Sequence, residues 1–277
     1  MKRIVIIAMM FAMVGTASLF ARGGAQQDAA PTAAEPFVIE VGGSTSVVPV
    51  MELLVNSFQA ENPHIRINIH STGSSDGVRN AGSLYQLGMT SRDLTPAELG
   101  LGLNQQLVAI DGIAVVLHPS SPVSNLTIEQ IRGIYMGEIT NWNQIPGAGK
   151  SGPVVVITRE EGSGTRGAFE EIIGFAGKLV AGANESTSTG AIKAGIAQNP
   201  NAIGYISLGS LDNTIKALSV DGVTASSANV VNGSYRVARP FIVLTGNNAH
   251  AETAAFIQWM LSSAGQAIVR SSWIPVN

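Results

Sequence analysis

Three turns between a strand-like and a helix-like segment combine glycine with serine and threonine. They are residues 42–49 (GGSTSVVP), 71–78 (STGSSDGV) and 159–169 (REEGSGTRGAF). The first turn of a helix carries unpaired N–H groups and a partial positive charge, and glycine allows close backbone approach to a ligand. Ordinary N-capping explains any one of these turns. Three that face one cleft would surround a small anion with uncharged donors.

Arginines accompany these turns. Arg159 ends a predicted strand, Arg166 lies inside the third turn, and Arg92 follows a short strand in GMTSRDL. The planar guanidinium presents a fork of donors that suits a tetrahedral oxyanion. Each arginine could instead be a solvated surface residue or the partner of a nearby acid such as Glu160 or Asp93. One or two buried arginines would balance the charge of a doubly charged oxyanion.

Composition excludes several classes of function. The chain has 277 residues, 45% of them apolar, which is enough for two modest domains with a buried core. It has no cysteine, so disulfides, thiolate chemistry and cysteine-based metal sites are excluded. Its four histidines are scattered, and we expect neither a metal nor a cofactor. The net charge of −3 argues against a nucleic-acid partner.

The first 25 residues are typical of a secretory signal peptide. Lys2 and Arg3 precede an apolar run that ends in small residues, with cleavage possible after Ala21 or Ala25. An uncleaved membrane anchor is the alternative, and the missing cysteine excludes a lipoprotein anchor. Residues 26–36 are predicted to form a flexible linker. Removal of 1–25 takes away three basic residues, which changes the net charge from −3 to −6. We therefore expect a periplasmic, acidic protein.

The remaining chain alternates strand and helix patterns. Alternation of this kind predicts α/β architecture with mainly parallel sheets. The predicted strands are 37–43, 64–72, 87–91, 105–119, 152–160, 201–208 and 239–246. The predicted helices are 47–62, 76–86, 127–137 with Thr127 as N-cap, 191–200 and 251–272.

Long stretches of this sequence carry a family resemblance. The chain resembles the phosphate-binding proteins of ATP-driven phosphate importers, the periplasmic receptor family called PstS. The matching segments are GGSTSVVPVMELL, STGSSDGVR, LGMTSRDLTPAE, AIDGIAVVLHPSSPVSNLTIEQIRGIYMGEITNW, ITREEGSGTRGAFEE and NPNAIGYISLG. They occur in the family's order and cover nearly all of the mature chain.

The resemblance implies a two-lobed periplasmic-binding-protein fold of type II, with a hinge and a mixed, mainly parallel sheet flanked by helices in each lobe. Lobe one would hold 37–117 and 240–277, and lobe two 118–239. The receptor would bind one phosphate between the lobes and deliver it to the membrane permease of an ABC importer. We expect a monomer and no enzymatic activity. The implied phosphate contacts are Ser44, Thr45, Ser46, Ser74, Ser75, Arg92, Asp111, Arg159, Ser163, Gly164, Thr165 and Arg166.

One position departs from the best-known branch of the family, where an aspartate that accepts a phosphate proton follows a strand like GMTS. Arg92 takes that position here. A phosphate receptor benefits from one buried acceptor, because hydrogenphosphate carries a proton and sulfate does not. We expect Asp111 to be that acceptor, with Asp76 as the second candidate.

The sequence leaves two alternative functions open. The receptor could bind another oxyanion, such as sulfate, molybdate or an organophosphate. The hydroxyl-rich turns could also belong to a secreted phosphoester hydrolase, although GSGTRG does not have the register of a nucleophile elbow. The hydroxyl-rich segment 186–195 is interpreted as a helix cap only.

Overall fold

The structure is a computed structural model that describes residues 36–277. Its strands are β1 (Phe37–Gly43), β2 (Ile65–Ser71), β3 (Leu87–Thr90), β4 (Asn104–Leu117), β5 (Asn125–Leu126), β6 (Val155–Arg159), β7 (Asn184–Ser186), β8 (Ala202–Ser207), β9 (Lys216–Ala217), β10 (Ser219–Val220), β11 (Val223–Thr224) and β12 (Ala238–Thr245). Its α-helices are α1 (Val48–Glu61), α2 (Ser74–Asn80), α3 (Pro96–Leu99), α4 (Ile128–Tyr135), α5 (Gly164–Ile173), α6 (Thr189–Gln198), α7 (Ser227–Val231), α8 (Ala251–Leu261) and α9 (Ser263–Val269). Short 3-10 helices occupy Trp142–Gln144 and Leu208–Ser210.

One mixed sheet runs through the described part of the chain in the order β2-β1-β3-β12-β4-β8-β6-β7, with β9 beside β4. β1 is parallel to β2 and β3, and β6 is parallel to β7 and β8. Between these parallel groups, β12 is antiparallel to β3 and β4, and β4 is antiparallel to β8. Two parallel units are thus joined by two antiparallel strands.

The strand β4 belongs to two hydrophobic cores. Val108 and Ala109 pack in the first core, with β1, α1 and α8. Residues 113–117 pack in the second core, with β6, α5 and β8. The partner strand changes at the same place, from β12 to β8. Two separate cores define two lobes. The predicted boundary at residue 117 lies beyond the point where β4 changes cores.

Most predicted elements are present, and two helices differ in length. Thr127 caps α4 in a capping box with Gln130, as predicted. The helix predicted over 76–86 ends at Asn80, because Ala81 is extended and Gly82 has a φ of +74°. The helix predicted over 251–272 is divided at Ser262, whose extended backbone ends α8 and whose hydroxyl accepts from Gly265 N–H to begin α9.

The C-terminal segment returns to the middle of β4. Ile110 and Ile274 exchange backbone hydrogen bonds of 2.9 and 3.0 Å. Beside them, the buried Trp273 packs in the first core, and its indole covers Gly209, which follows β8. This segment therefore contacts both lobes at the strands that connect them.

The predicted signal peptide (1–25) lies outside the described residues, as does all but the last residue of the predicted linker. Within residues 36–277, no helix combines the length and apolar character needed to cross a membrane. The same residues contain no group of three or more acidic, histidine or cysteine side chains arranged to hold a metal ion.

Candidate functional site

The three glycine- and hydroxyl-rich turns meet between the two lobes. Ser46 Oγ, before α1, lies 2.8 Å from Thr165 Oγ1 in α5. Ser74, the first residue of α2, sits against Gly164, where an added Cβ would be 2.9 Å from Ser74 Cβ. Ser46, Ser74 and Thr165 are all buried. Residues from both lobes thus form one buried polar cluster.

Local backbone geometry explains why these turns point at one place. Gly43 has a φ of +137°, and its carbonyl accepts the N–H groups of Thr72 and Gly73, which ties the first turn to the second. Across the cleft, Ser163 caps α5 by accepting from Arg166 N–H. Main-chain bonding then connects the lobes directly, because Ser75 N donates to Gly162 O at 3.1 Å.

Thr189 is a member of the cluster that the sequence interpretation missed. Its Oγ1 lies 3.1 Å from Ser46 Oγ and 3.4 Å from Thr45 Oγ1. The interpretation of residues 186–195 as a helix cap only is incomplete: Ser188 performs the capping, and Thr189 at the first position of α6 faces the cleft. The run STSTG is the same glycine-and-hydroxyl signal that marked the other turns.

Ser91, just after β3, is a second member that was missed. Ser44 Oγ donates to Ser91 Oγ at 2.8 Å, and Ser91 N donates to Ser74 Oγ at 3.1 Å. The hydroxyl of Ser44 is therefore directed to Ser91 inside lobe one. Ser91 Oγ lies beside Gly164, where an added Cβ would be 2.8 Å away. The side chain at the end of β3 that faces the cleft is Ser91 and not Arg92.

Two buried arginines lie at the cluster, and each is paired with an acid. Arg159 donates from Nε and Nη2 to the carboxylate of Glu160 at 2.8 and 2.7 Å. Glu160 lies across the cleft next to Gly73. Arg239 on β12, which the sequence analysis did not single out, donates from Nη2 to Asp111 at 3.1 Å and from Nη1 to Ser91 Oγ at 3.1 Å.

Asp111 is placed differently from the expectation of a proton acceptor. Its Oδ1 accepts from Ser207 Oγ at 2.8 Å, and its Oδ2 accepts from Arg239 Nε and Nη2. Burial raises the pKa of Asp111 and lowers the pKa of Arg239, while the ion pair favours both charges. Arginine keeps its proton in proteins, so the buried guanidinium of Arg239 needs a counter-ion, and Asp111 is the acid that lies against it.

Asp76 is occupied too. Its two oxygens accept from Asn80 Nδ2 at 2.8 Å and from Tyr85 Oη at 2.9 Å, on the side of α2 that faces lobe one. Each of the two acids considered as proton acceptors therefore has partners elsewhere.

Arg92 lies outside the cluster. Its guanidinium binds Glu98 at 2.6 and 2.8 Å and donates to Ser75 Oγ at 3.3 Å. Hydrogen bonding from Arg92 lowers the pKa of Glu98 to about 2. The side chains of Arg92 and Ser75 thus belong to a hydrogen-bond network with Glu98 that lies outside the hydroxyl cluster.

Arg166 is also directed away from the cleft. Its Nε donates to Glu170 at 2.7 Å, and its Nη1 donates to Glu185 at 2.8 Å and to the Arg159 carbonyl at 3.0 Å. Burial by itself would lower the pKa of Arg166, but the hydrogen bonds that Arg166 donates to Glu170 and Glu185 outweigh it and raise the pKa. The structure therefore brings together the hydroxyls and Arg159, but not all three predicted arginines.

Known proteins share this architecture. A family model described as a PBP superfamily domain matches residues 25–264. A putative phosphate ABC transporter substrate-binding protein from Clostridium perfringens, solved with bound phosphate, is 43% identical, with a TM-score of 0.84 over 87% of this chain and 100% of that chain. The chain belongs to the PstS family. Its fold is the two-lobed α/β fold that the resemblance implied.

Further PstS relatives agree. An ABC-type phosphate transport receptor from Vibrio cholerae is 33% identical, with a TM-score of 0.71 over 85% of this chain and 99% of that chain. The phosphate-binding protein PstS of Borreliella burgdorferi is 27% identical over 247 residues, which span 84% of this chain and 87% of that protein. The chain therefore matches these relatives over nearly their whole length.

Proposed function

We propose that this protein is an extracytoplasmic receptor that binds inorganic phosphate between its lobes and delivers it to the permease of an ABC importer. The observation that carries the proposal is the direct meeting of Ser46 with Thr165 and Thr189, which joins hydroxyls of both lobes in one buried cluster. The names of its PstS relatives support the same ligand, and they are names of binding proteins. The receptor therefore releases phosphate unchanged.

The proposed ligand set combines neutral donors with one guanidinium. Hydroxyls and first-turn amides of α1, α2, α5 and α6 surround the anion, and the buried Arg159 supplies positive charge. Arg92 and Arg166 are not in this set, because they bind acids outside the cluster, and Ser75 and Asp111 bind Arg92 and Arg239. Ser44 and Ser163 are also outside it, because Ser44 donates to Ser91 and Ser163 caps α5. Arg159 is kept because its acid partner, Glu160, lies in the cleft beside Gly73. The set is Thr45, Ser46, Ser74, Ser91, Arg159, Gly164, Thr165 and Thr189.

This arrangement is suited to an anion that leaves water completely. Burying a charge is costly unless hydrogen bonds replace its hydration. Serine and threonine hydroxyls can rotate, so each can donate to an oxyanion oxygen or accept from a phosphate proton. The contacts of Ser46 with Thr165 and Thr189 allow either atom to be the donor. We propose that one of these rotatable hydroxyls accepts the hydrogen bond from the phosphate proton, which is the role expected of Asp111.

Ligand binding would be coupled to lobe closure. We propose the predicted lobes, 37–117 with 240–277 and 118–239, with one change. The chain crosses between them at residues 111–113, where β4 changes partners, so residues 113–117 belong to lobe two. Only the closed arrangement offers donors of both lobes at once, so phosphate stabilises that arrangement. We propose a monomer without a nucleic-acid partner, in keeping with the net charge of −3.

Calorimetric titration of residues 26–277 tests this function. Phosphate should bind to one site and sulfate much more weakly. Ser46→Ala and Thr165→Val each remove a hydrogen bond to a charged ligand, worth about 1.5–3 kcal/mol, and should weaken binding by about 10- to 100-fold. Thr140→Val is the matched control, because Thr140 is exposed in lobe two.

Three results would contradict the proposal. If the protein does not bind phosphate, the proposed ligand is wrong. If it binds sulfate or molybdate as tightly as phosphate or more tightly, a receptor for another oxyanion is favoured. Release of product from a chromogenic phosphate ester, lost in Thr165→Val but not in Thr140→Val, would favour the hydrolase.

A further inference from the structure

Arg239 occupies a position where the two connecting strands meet the anion site. It is directly opposite Asp111 in the pairing of β12 with β4, and both side chains are almost completely buried. Its guanidinium is divided between two tasks. Nε and Nη2 face Asp111 at 3.3 and 3.1 Å, while Nη1 faces Ser91 Oγ at 3.1 Å and the Ser91 carbonyl at 3.4 Å.

Asp111 fixes the orientation of this guanidinium. Its Oδ1 is held by Ser207 Oγ at 2.8 Å, and Gly209 N–H approaches the same oxygen at 3.5 Å. A carboxylate held on one side and bound by two guanidinium nitrogens on the other allows Arg239 little rotation. Nη1 is consequently directed at Ser91 from a rigid support.

The hydrogen bonds at Ser91 determine what its hydroxyl can do. A serine hydroxyl has one hydrogen to donate and two lone pairs to accept with. Ser91 Oγ accepts from Arg239 Nη1 and from Ser44 Oγ, which uses both lone pairs. The hydrogen of Ser91 therefore has to be donated. Within residues 36–277, the hydrogen-bond partner that remains for this hydrogen is Ser74 Oγ at the long distance of 3.4 Å, and that oxygen already accepts from Ser91 N–H.

We propose that Arg239 is a positioning residue of the anion site, which acts through Ser91 by committing the Ser91 hydroxyl to donate to the bound oxyanion. This inference rests on the proposed phosphate site and adds a residue 148 positions away from Ser91 to it. It also gives the Arg239–Asp111 pair a role in binding, as the support that orients one donor. The rotatable hydroxyls around Ser46 differ from Ser91, because within residues 36–277 their hydrogen bonds go to one another and not to a charged side chain.

A double-mutant cycle with phosphate titration tests the coupling. Arg239→Lys keeps a positive charge for Asp111, but a single ammonium cannot reproduce the fork that reaches Asp111 and Ser91 together. We expect Arg239→Lys to weaken phosphate binding about fivefold, less than the loss of a whole hydrogen bond to the anion, because Ser91 keeps its hydroxyl and loses only the group that commits it to donate. In a Ser91→Ala background the same change should alter affinity by less than about twofold, since its target is already removed. Arg236→Lys, at an exposed arginine near the start of β12, is the control.

The outcomes separate this inference from the proposed function. Non-additive losses support the inference. Equal losses from Arg239→Lys in both backgrounds, or no loss in either, would overturn it while wild-type phosphate binding left the proposed function intact. If Arg239→Lys does not fold, the neutral pair Arg239→Gln with Asp111→Asn replaces it in the same cycle, and additive losses there would overturn the inference equally.

Discussion

Substitution of Gly164 tests the meeting of the two lobes most directly. Gly164 is the first residue of α5, where alanine is compatible with the backbone and favourable for a helix. A methyl group at this position would lie 2.9 Å from Ser74 Cβ and 2.8 Å from Ser91 Oγ. Rotation of the Ser74 hydroxyl cannot relieve the first overlap, because the Cβ atom is fixed to the backbone. The lobes themselves would have to separate.

The required separation sets the expected loss. Restoring an ordinary carbon–carbon contact of about 3.5–4.0 Å opens the gap by about 1 Å. The 2.8 Å distance between Ser46 and Thr165 would then approach about 3.8 Å, which is too long for a hydrogen bond. If the ligand loses two hydrogen bonds of about 1.5–3 kcal/mol each, phosphate affinity falls about 10²- to 10⁴-fold.

Calorimetry and thermal unfolding of Gly164→Ala together measure this effect. We expect a large loss of phosphate affinity with a ligand-free melting temperature close to that of the wild type. Gly167→Ala is the control on the same helix, because its methyl group would meet only the flexible side chain of Arg92 at 3.3 Å. Wild-type phosphate affinity in Gly164→Ala would refute the closed arrangement on which the site depends.

Three further changes test the ion pairs and the helix cap. Asp111→Asn leaves Arg239 buried without its counter-ion, so chemical denaturation should show a loss of about 3–5 kcal/mol; an unchanged free energy of unfolding would contradict this. Arg92→Ala removes the group that lowers the pKa of Glu98 to about 2. The stabilisation from the Glu98 carboxylate is complete above about pH 4.5 and is lost as the pH falls through about 2. The difference in melting temperature between the wild type and Arg92→Ala should therefore shrink from pH 6 to pH 2. A difference that stays constant would refute the pairing. Thr127→Ala removes the cap of α4 and should cost about 1 kcal/mol of unfolding free energy without a change in phosphate affinity.

The parts of the site that the sequence predicted are those encoded locally. A turn such as GSGTR contains its own glycines, cap and hydroxyls, and α5 begins there whatever lies across the cleft. Repeating strand and helix periods likewise predicted the order of elements. The division of the last helix at Ser262 was not predicted, because the apolar pattern continues through it and only the serine pair marks the break.

The parts that were missed depend on long-range pairing or on direction. Arg239 meets Asp111 only because β12 and β4 pair across 128 positions of sequence, and no local pattern encodes that register. Arg92 was preferred to Ser91 because its charge suits an anion. The chain bends at Ser91 and Arg92, just after β3, so the directions of these two side chains depend on tertiary contacts such as that of Ser91 with Ser74, which no local pattern encodes.

The packing of Trp273 gives the molecule an optical property. Its indole spans the junction between Gly209 and the first core, whereas Trp142 is enclosed within the second core and Trp259 bonds to Glu61 on the surface. One of the three tryptophans thus lies where the proposed closure would move one lobe against the other, and its indole nitrogen has no hydrogen-bond partner among the described residues. If the proposed closure occurs, the environment of the Trp273 indole should change with it, so closure should be visible as a change in tryptophan emission without any attached dye.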